Sequence, residues 1–231
     1  MPEGFEILYE EGPCLVVCKP GGVLTQAPPG IDSLEVRIKK FLKERDEKPG
    51  NVYLGVPHRL DRPVSGAIVV ARHARAARRI SEQFEGRIVE KTYWACVEGR
   101  VAEDEGTWTD TIRKIPAMAR AETVAKGHPE GRVAVLHYRV QRRDELGCWL
   151  SLALVTGRTH QIRVQAASRG HPVWGDEWYG SRIPFGPQTE DVRERWIALH
   201  ARRLRFRHPM TRAPVTVTAP LTVHWRHLDI G

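Results

Sequence analysis

The sequence predicts an α+β fold, a single domain over residues 1–231 built on a central mixed, largely antiparallel sheet flanked by a few helices. Three observations carry this. Strand-like segments outnumber helix-like ones, and they do not alternate as in a parallel α/β fold. No Pro/Gly/Ser-rich linker divides the chain. A chain of 231 residues with a hydrophobic fraction of 41% can bury about 70% of its unfolded surface around one core.

Each element has its own signal. Phe5, Ile7 and Tyr9 alternate as a first strand, and Cys14–Lys19 is a second, closed by Pro20, Gly21 and Gly22. Asp32 with Glu35 three residues on has the form of a capping box. Leu34, Ile38, Phe41 and Leu42 then recur at helical spacing, and the helix ends before Pro49 and Gly50. Ala67–Ala71 is a continuous apolar strand, followed by a helix on Ala77, Ile80 and Phe84 that turns Arg75, Arg78 and Arg79 outward. Further strands are predicted at Thr92–Val97, Val133–Val140, Trp149–Val155, Ala201–Phe206 and Val215–Thr218. Residues 113–132 carry Arg113, Lys114, Arg120, Lys126 and Arg132 among Pro and Gly, and read as a long basic loop, either functional or a disordered insertion. Residues 180–190 form a second loop rich in Gly and Pro.

Composition narrows the function classes. The formal charge is +8, and 28 of the 36 basic residues are Arg, a balance that suits a polyanionic partner because clustered cations displace counterions from phosphates. Codon usage or a solvated surface is the plainer explanation of the same excess. No apolar run approaches a membrane span, and the start MPEGFEILYEEG lacks the basic and then apolar order of a secretory signal, so a cytoplasmic protein with no membrane contact is expected. Cys14, Cys18, Cys96 and Cys148 form neither a CxxC pair nor a zinc spacing, so no metal is expected.

The stretch with most chemistry is HRLDRPVSG, residues 58–66, where His58, Arg59 and Asp61 sit between apolar runs in a turn stiffened by Pro63 and Gly66. A charged cluster so placed points to a catalytic Asp61 on a rigid loop, with a surface Asp capping a turn as the alternative.

This stretch resembles the HRLDxxTSG motif of RluA-type RNA pseudouridine synthases, in which the Asp is catalytic. Further segments match that family in order along the chain: VVCKPGGVLT at 16–25, KTYWACVEG at 91–99, VTGRTHQIRV at 155–164, GHPVWGDEWYG at 170–180 and LHARRLRFRHP at 199–209. Val64, Gln165 and Trp174 depart from the usual Thr, His and aliphatic residue. The resemblance implies the pseudouridine synthase fold, with residues 1–231 as its catalytic domain. The small N-terminal RNA-binding module common in such enzymes is expected to be missing, so the catalytic domain must grip RNA itself.

The implied reaction breaks the N1 glycosidic bond of a uridine, turns the uracil and rejoins it through C5, without gain or loss of atoms. It calls for no redox cofactor, nucleotide or metal. It needs a carboxylate acting as nucleophile or base, and Asp61 holds that position. Arg163 matches the family's partner of the carboxylate, which would oppose the rise in pKa that burial brings. An Arg on the outer face of a helix is the alternative. Tyr93 matches the Tyr that stacks on the flipped uracil and serves in proton transfer at C5; as Trp94 is its strand neighbour, only one of the two can line the pocket. Arg59 is expected to fill the space the flipped base vacates, and Ile162 to pack on the uracil or in the core. Lys19 is expected to fix the catalytic loop or to touch phosphate. His58, His160 and His200 are expected to be structural or orienting residues.

Independently of the family, period two near residues 201–207 places Leu204 and Phe206 on one side and Arg203, Arg205 and Arg207 on the other. That row is expected to face RNA phosphates, with residues 113–132 as a second contact. The function expected is isomerisation of specific uridines in structured rRNA or tRNA by a monomer with no obligatory protein partner. Two rivals stand beside it. A non-catalytic RNA-binding or ribosome-assembly protein on the same fold would not need Asp61, Tyr93 and Arg163 together. A nucleoside or glycoside hydrolase would be expected to use a second carboxylate.

Overall fold

The computed structural model describes residues 4–226. In chain order its elements are β1 (Glu6–Glu11), β2 (Cys14–Lys19), α1 (Leu34–Arg45), β3 (Ser65–Ala71), α2 (Ala74–Glu85), β4 (Glu90–Glu98), β5 (Glu105–Lys114), β6 (Ala121–Val124), β7 (Arg132–Arg143), β8 (Gly147–Leu154), α3 (Gln161–Ala167), a 3₁₀ turn at Glu177–Tyr179, β9 (Leu199–Arg207), β10 (Pro214–Thr218) and α4 (Val223–Arg226). The fold is α+β, as the sequence predicts. The chain forms two compact units, Met1–Lys91 with Asp191–Glu194 and Ala201–Gly231, and Thr92–Glu190 with Arg195–His200.

In the first unit the strands run in the order β1-β2-β3-β9, with β10 on β9. β1–β2, β2–β3 and β9–β10 pair antiparallel. Every residue of β2 and β3 is buried, which is why CLVVCK and SGAIVVA read as unbroken apolar runs rather than alternations. On one side lie Val16, Ala67 and Val69 in a cluster with Ala76 and Ile80 of α2 and Leu204, Phe206, Val215 and Val217. Gly66 at the start of β3 has φ +117, and a Cβ there would meet the carbonyl oxygen of Ala201 at 2.4 Å. Only glycine permits that approach.

Helix α1 starts one residue later than its predicted cap. Ser33, not Asp32, is the N-cap, and its side chain accepts from the Val36 N–H. Asp32 is instead bound by Arg37, a contact that competes for its carboxylate.

The second unit orders its strands β4-β8-β7-β5-β6, with β4–β8, β8–β7, β7–β5 and β5–β6 antiparallel. Here the predicted long loop is corrected. β5 runs to Lys114 and β6 pairs back on it, so residues 113–132 are two turns separated by a short paired strand rather than one continuous loop. Pairing satisfies backbone groups that a loop would leave to water. Among the described residues no helix is long and apolar enough to cross a membrane, and no group of three His, Cys, Asp or Glu is placed to hold a metal ion.

Candidate active site

The loop bearing Asp61 is built in the first unit from two segments that the sequence presents as separate motifs. Lys19, at the end of β2, is fully buried. Its ammonium donates to the carbonyls of Pro20 (2.8 Å), Val23 (2.7 Å) and Arg62 (3.1 Å). Thr25 Oγ1 donates to the Leu60 carbonyl at 2.8 Å and accepts the Leu60 N–H at 3.2 Å. Arg62 Nε donates to the Gly22 carbonyl at 2.9 Å. The Val64 N–H closes the turn on the Asp61 carbonyl at 3.0 Å. Residues 19–25 and 58–64 are thus stitched on both sides of Asp61, and Val64 is buried beneath the turn.

Two titrating groups feel this burial. Desolvation brings the Lys19 pKa down to about 7, against the opposing pull of the Asp61 charge. The three hydrogen bonds of its ammonium go to carbonyls around the Asp61 loop. His58 is pushed down to about 3 by burial, with the charge of Lys91 adding to the effect. Its Nε2 accepts the Val69 N–H at 3.0 Å and its ring stacks on Phe84 at 4.3 Å. A neutral His58 is therefore a structural support, as the sequence suggests. Arg59 is exposed at the loop surface and Asp61 is half-buried.

Tyr93, Ile162 and Arg163 lie in the second unit. Tyr93 sits on β4 opposite Leu152 of β8. Its neighbour Trp94 packs edge-on against Trp149 with centroids 4.7 Å apart, so the Trp is engaged on the face Tyr93 does not share. Ile162 and Arg163 are both buried in the first turn of α3. The motif residues before them build that turn. Gln161 Oε1 accepts from Thr156 Oγ1 (2.7 Å) and the Arg158 N–H (3.0 Å), while its Nε2 donates to the Val135 carbonyl (3.1 Å).

Arg163 meets a residue that no sequence pattern singles out. Its Nε and Nη2 donate to the two oxygens of Asp176 at 2.6 and 2.8 Å, and both side chains are almost fully buried. This is the two-pronged geometry in which a guanidinium binds a carboxylate most strongly. The guanidinium also lies 5.0 Å from the ring of Tyr179 and 6.0 Å from that of Trp178. Tyr179 OH bonds His160 Nδ1 at 2.8 Å and both backbone groups of Ala121. The GDEWYG turn is therefore the seat of Arg163. Two acids and two aromatics stand together in GDEWYG, but nothing local ties Asp176 to a residue 13 positions earlier.

Gln165 is fully buried. Its Nε2 donates to Asp110 Oδ2 at 2.7 Å and to the Trp108 carbonyl at 3.2 Å, anchoring α3 to β5. Arg203, Arg205 and Arg207 are all exposed on β9 while Leu204 and Phe206 are buried, and Arg205 pairs with Glu90 at 3.2 Å.

Comparison with known proteins agrees with this architecture. The solved structure of human RNA pseudouridylate synthase domain containing 4 superposes with a TM-score of 0.78 at 23% identity, covering 96% of this chain and 90% of that one; the fold is that of a pseudouridine synthase. The family model for RNA pseudouridylate synthases matches residues 13–168. Ribosomal large subunit pseudouridine synthase C of Yersinia pestis is 33% identical over 96% of this chain and 67% of its own length. Ribosomal large subunit pseudouridine synthase D of Xanthomonas campestris pv. campestris is 36% identical over 93% and 65%. The chain spans about two thirds of the length of these curated relatives. It belongs to the RNA pseudouridylate synthase family, isomerases that convert uridine in RNA to pseudouridine.

Proposed function

We propose that this protein isomerises specific uridines in structured RNA, with Asp61 as the residue the chemistry depends on. The observation that carries the reading is the stitching of the Asp61 loop: a buried ammonium, a buried hydroxyl and a closed turn hold the backbone that carries the half-buried Asp61. Fixing a single acid this firmly suits a reaction that needs it at one atom of the substrate.

In this reading the N1–C1′ bond breaks and a C5–C1′ bond forms, while Asp61 either attacks the sugar and is displaced as C5 rejoins it, or takes a sugar proton and returns it. The proton lost from C5 is balanced by one gained at N1. Tyr93 stacks on the flipped uracil and assists the C5 proton. Ile162 packs on the base, Arg163 balances the carboxylate's charge, and Arg59 fills the vacated stack. Arg203, Arg205 and Arg207 are assigned to phosphates, since their exposed row lies on a rigid strand. Lys19 is assigned to the loop. No cofactor enters these steps. The names of the Yersinia and Xanthomonas relatives make large-subunit ribosomal RNA the first substrate to try, with transfer RNA the second. The protein is proposed to work in the cytoplasm as a monomer, without a protein partner.

The test is direct: incubate the purified chain with ribosomal and transfer RNA from cells lacking its gene, and map pseudouridine by position. New pseudouridine at one or a few sites is expected. Its absence in both RNAs would refute the reading.

A further inference from the structure

Of the seven Trp residues, six are buried or partly buried. Trp178 alone is exposed, at 43%. Trp108, Trp174 and Trp225 are at most 6% exposed, so this fold hides the indoles it uses for packing. Leaving one in water forfeits burial that a large aromatic normally supplies.

Trp178 is also held still. It lies in the 3₁₀ turn Glu177–Tyr179, closed by the Tyr179 N–H on the Asp176 carbonyl at 2.9 Å and the Gly180 N–H on the Glu177 carbonyl at 3.1 Å. Its own carbonyl accepts from Arg120 at the end of the β5–β6 turn. Its ring lies 6.0 Å from the guanidinium of Arg163, and Arg163 is itself clamped by Asp176. A flat apolar surface is thus fixed beside the Arg assigned to the reaction, with Arg120 anchoring its backbone and exposed Arg182 nearby in sequence.

We propose that Trp178 is a stacking platform for an unpaired RNA base adjacent to the isomerised uridine. The inference rests on the RNA reading above and adds a subsite to it. Sequence-tolerant stacking on aromatic faces is how proteins hold splayed single-stranded bases. A Trp presents the largest such face, with only two side-chain torsions to fix. The Arg163 guanidinium, 6.0 Å from the ring, adds a cation–π attraction.

The experiment uses the full chain and a stem–loop RNA containing the uridine that wild type isomerises. Trp178→Ala is expected to weaken binding and raise KM by about 5- to 100-fold, the range for one lost base stack, with kcat little changed and the melting temperature retained. Trp178→Phe should recover most of the affinity. Replacing the stacked neighbour in the RNA by an abasic nucleotide should weaken wild type similarly and add little to Trp178→Ala, because the two changes remove one interaction. Equal affinity of wild type and Trp178→Ala would overturn the proposal and leave the exposed Trp to a protein partner. Additive effects at every neighbouring nucleotide would overturn it too, in favour of an indirect action through Arg163. If wild type isomerises nothing, the functional reading fails first and this inference falls with it.

Discussion

Around Asp61 the supporting cation, Lys19, donates to the carbonyls of Pro20, Val23 and Arg62, whereas around Arg163 the supporting anion, Asp176, takes the guanidinium itself. The first region is fixed through its backbone, the second through the charge of the side chain it presents. The difference has a physical cost structure. A backbone-tied loop loses hydrogen bonds one at a time when its tie is cut, whereas a buried ion pair that loses one member leaves a whole charge without compensation.

That contrast can be broken most forcefully at Asp176. Asp176→Ala removes both charge-assisted hydrogen bonds that this carboxylate gives the buried Arg163 guanidinium, and urea unfolding should register a loss of about 3–5 kcal/mol. A loss well under 1 kcal/mol would mean the pair is not the seat of α3.

Lys19→Met should cost less, about 1–3 kcal/mol, because it unties buried carbonyls but also removes a buried charge. Its signature is in pH. A lysine whose folded pKa is lowered from 10.5 to about 7 binds fewer protons folded than unfolded between those values. Stability from this group therefore rises with pH across that window. Denaturation from pH 6 to 10 should show the wild type gaining on Lys19→Met as pH rises, and a constant gap would contradict the assignment.

His58→Gln keeps an acceptor for Val69 but loses the Phe84 stack, at about 1 kcal/mol near neutrality. The wild-type imidazole, pushed down to about 3, contributes stability above about pH 6.5 that is lost on acidification toward 3. Acid titration followed by circular dichroism should show a shallower decline in the variant.

The smallest effect on stability, essentially none, is expected from replacing Arg203, Arg205 and Arg207 together by Ala. RNA binding should weaken and the slope of log K against log salt should flatten by about 2, at roughly 0.7 per phosphate contact. An unchanged slope would make the row ordinary solvent-facing charge.

How much of this was legible in the sequence depended on what each residue contacts. β2 and β3 were plain because burial on both faces writes an unbroken apolar run. The Arg row was plain because a period of two survives in LRFR. β5 was not, since in EGTWTDTIRK only Trp108 and Ile112 are buried, four residues apart, which hides the alternation of a strand. β6 has only four residues and no pattern to show. Family motifs mark Asp61, Tyr93 and Arg163, but nothing marks Asp176, because its partner comes from another segment. The role of Lys19 stayed open for a similar reason: its partners are carbonyls, which every residue possesses and no sequence pattern marks.

One carboxylate, carried on that stitched loop, is proposed to perform the isomerisation. Asp61→Asn preserves size and most hydrogen bonding while removing the charge, so the variant should fold like wild type by melting temperature. Incubated with the RNA that wild type modifies, it is expected to form no detectable pseudouridine while still binding. Wild-type turnover by Asp61→Asn would show that the Asp61 charge is not needed for the reaction.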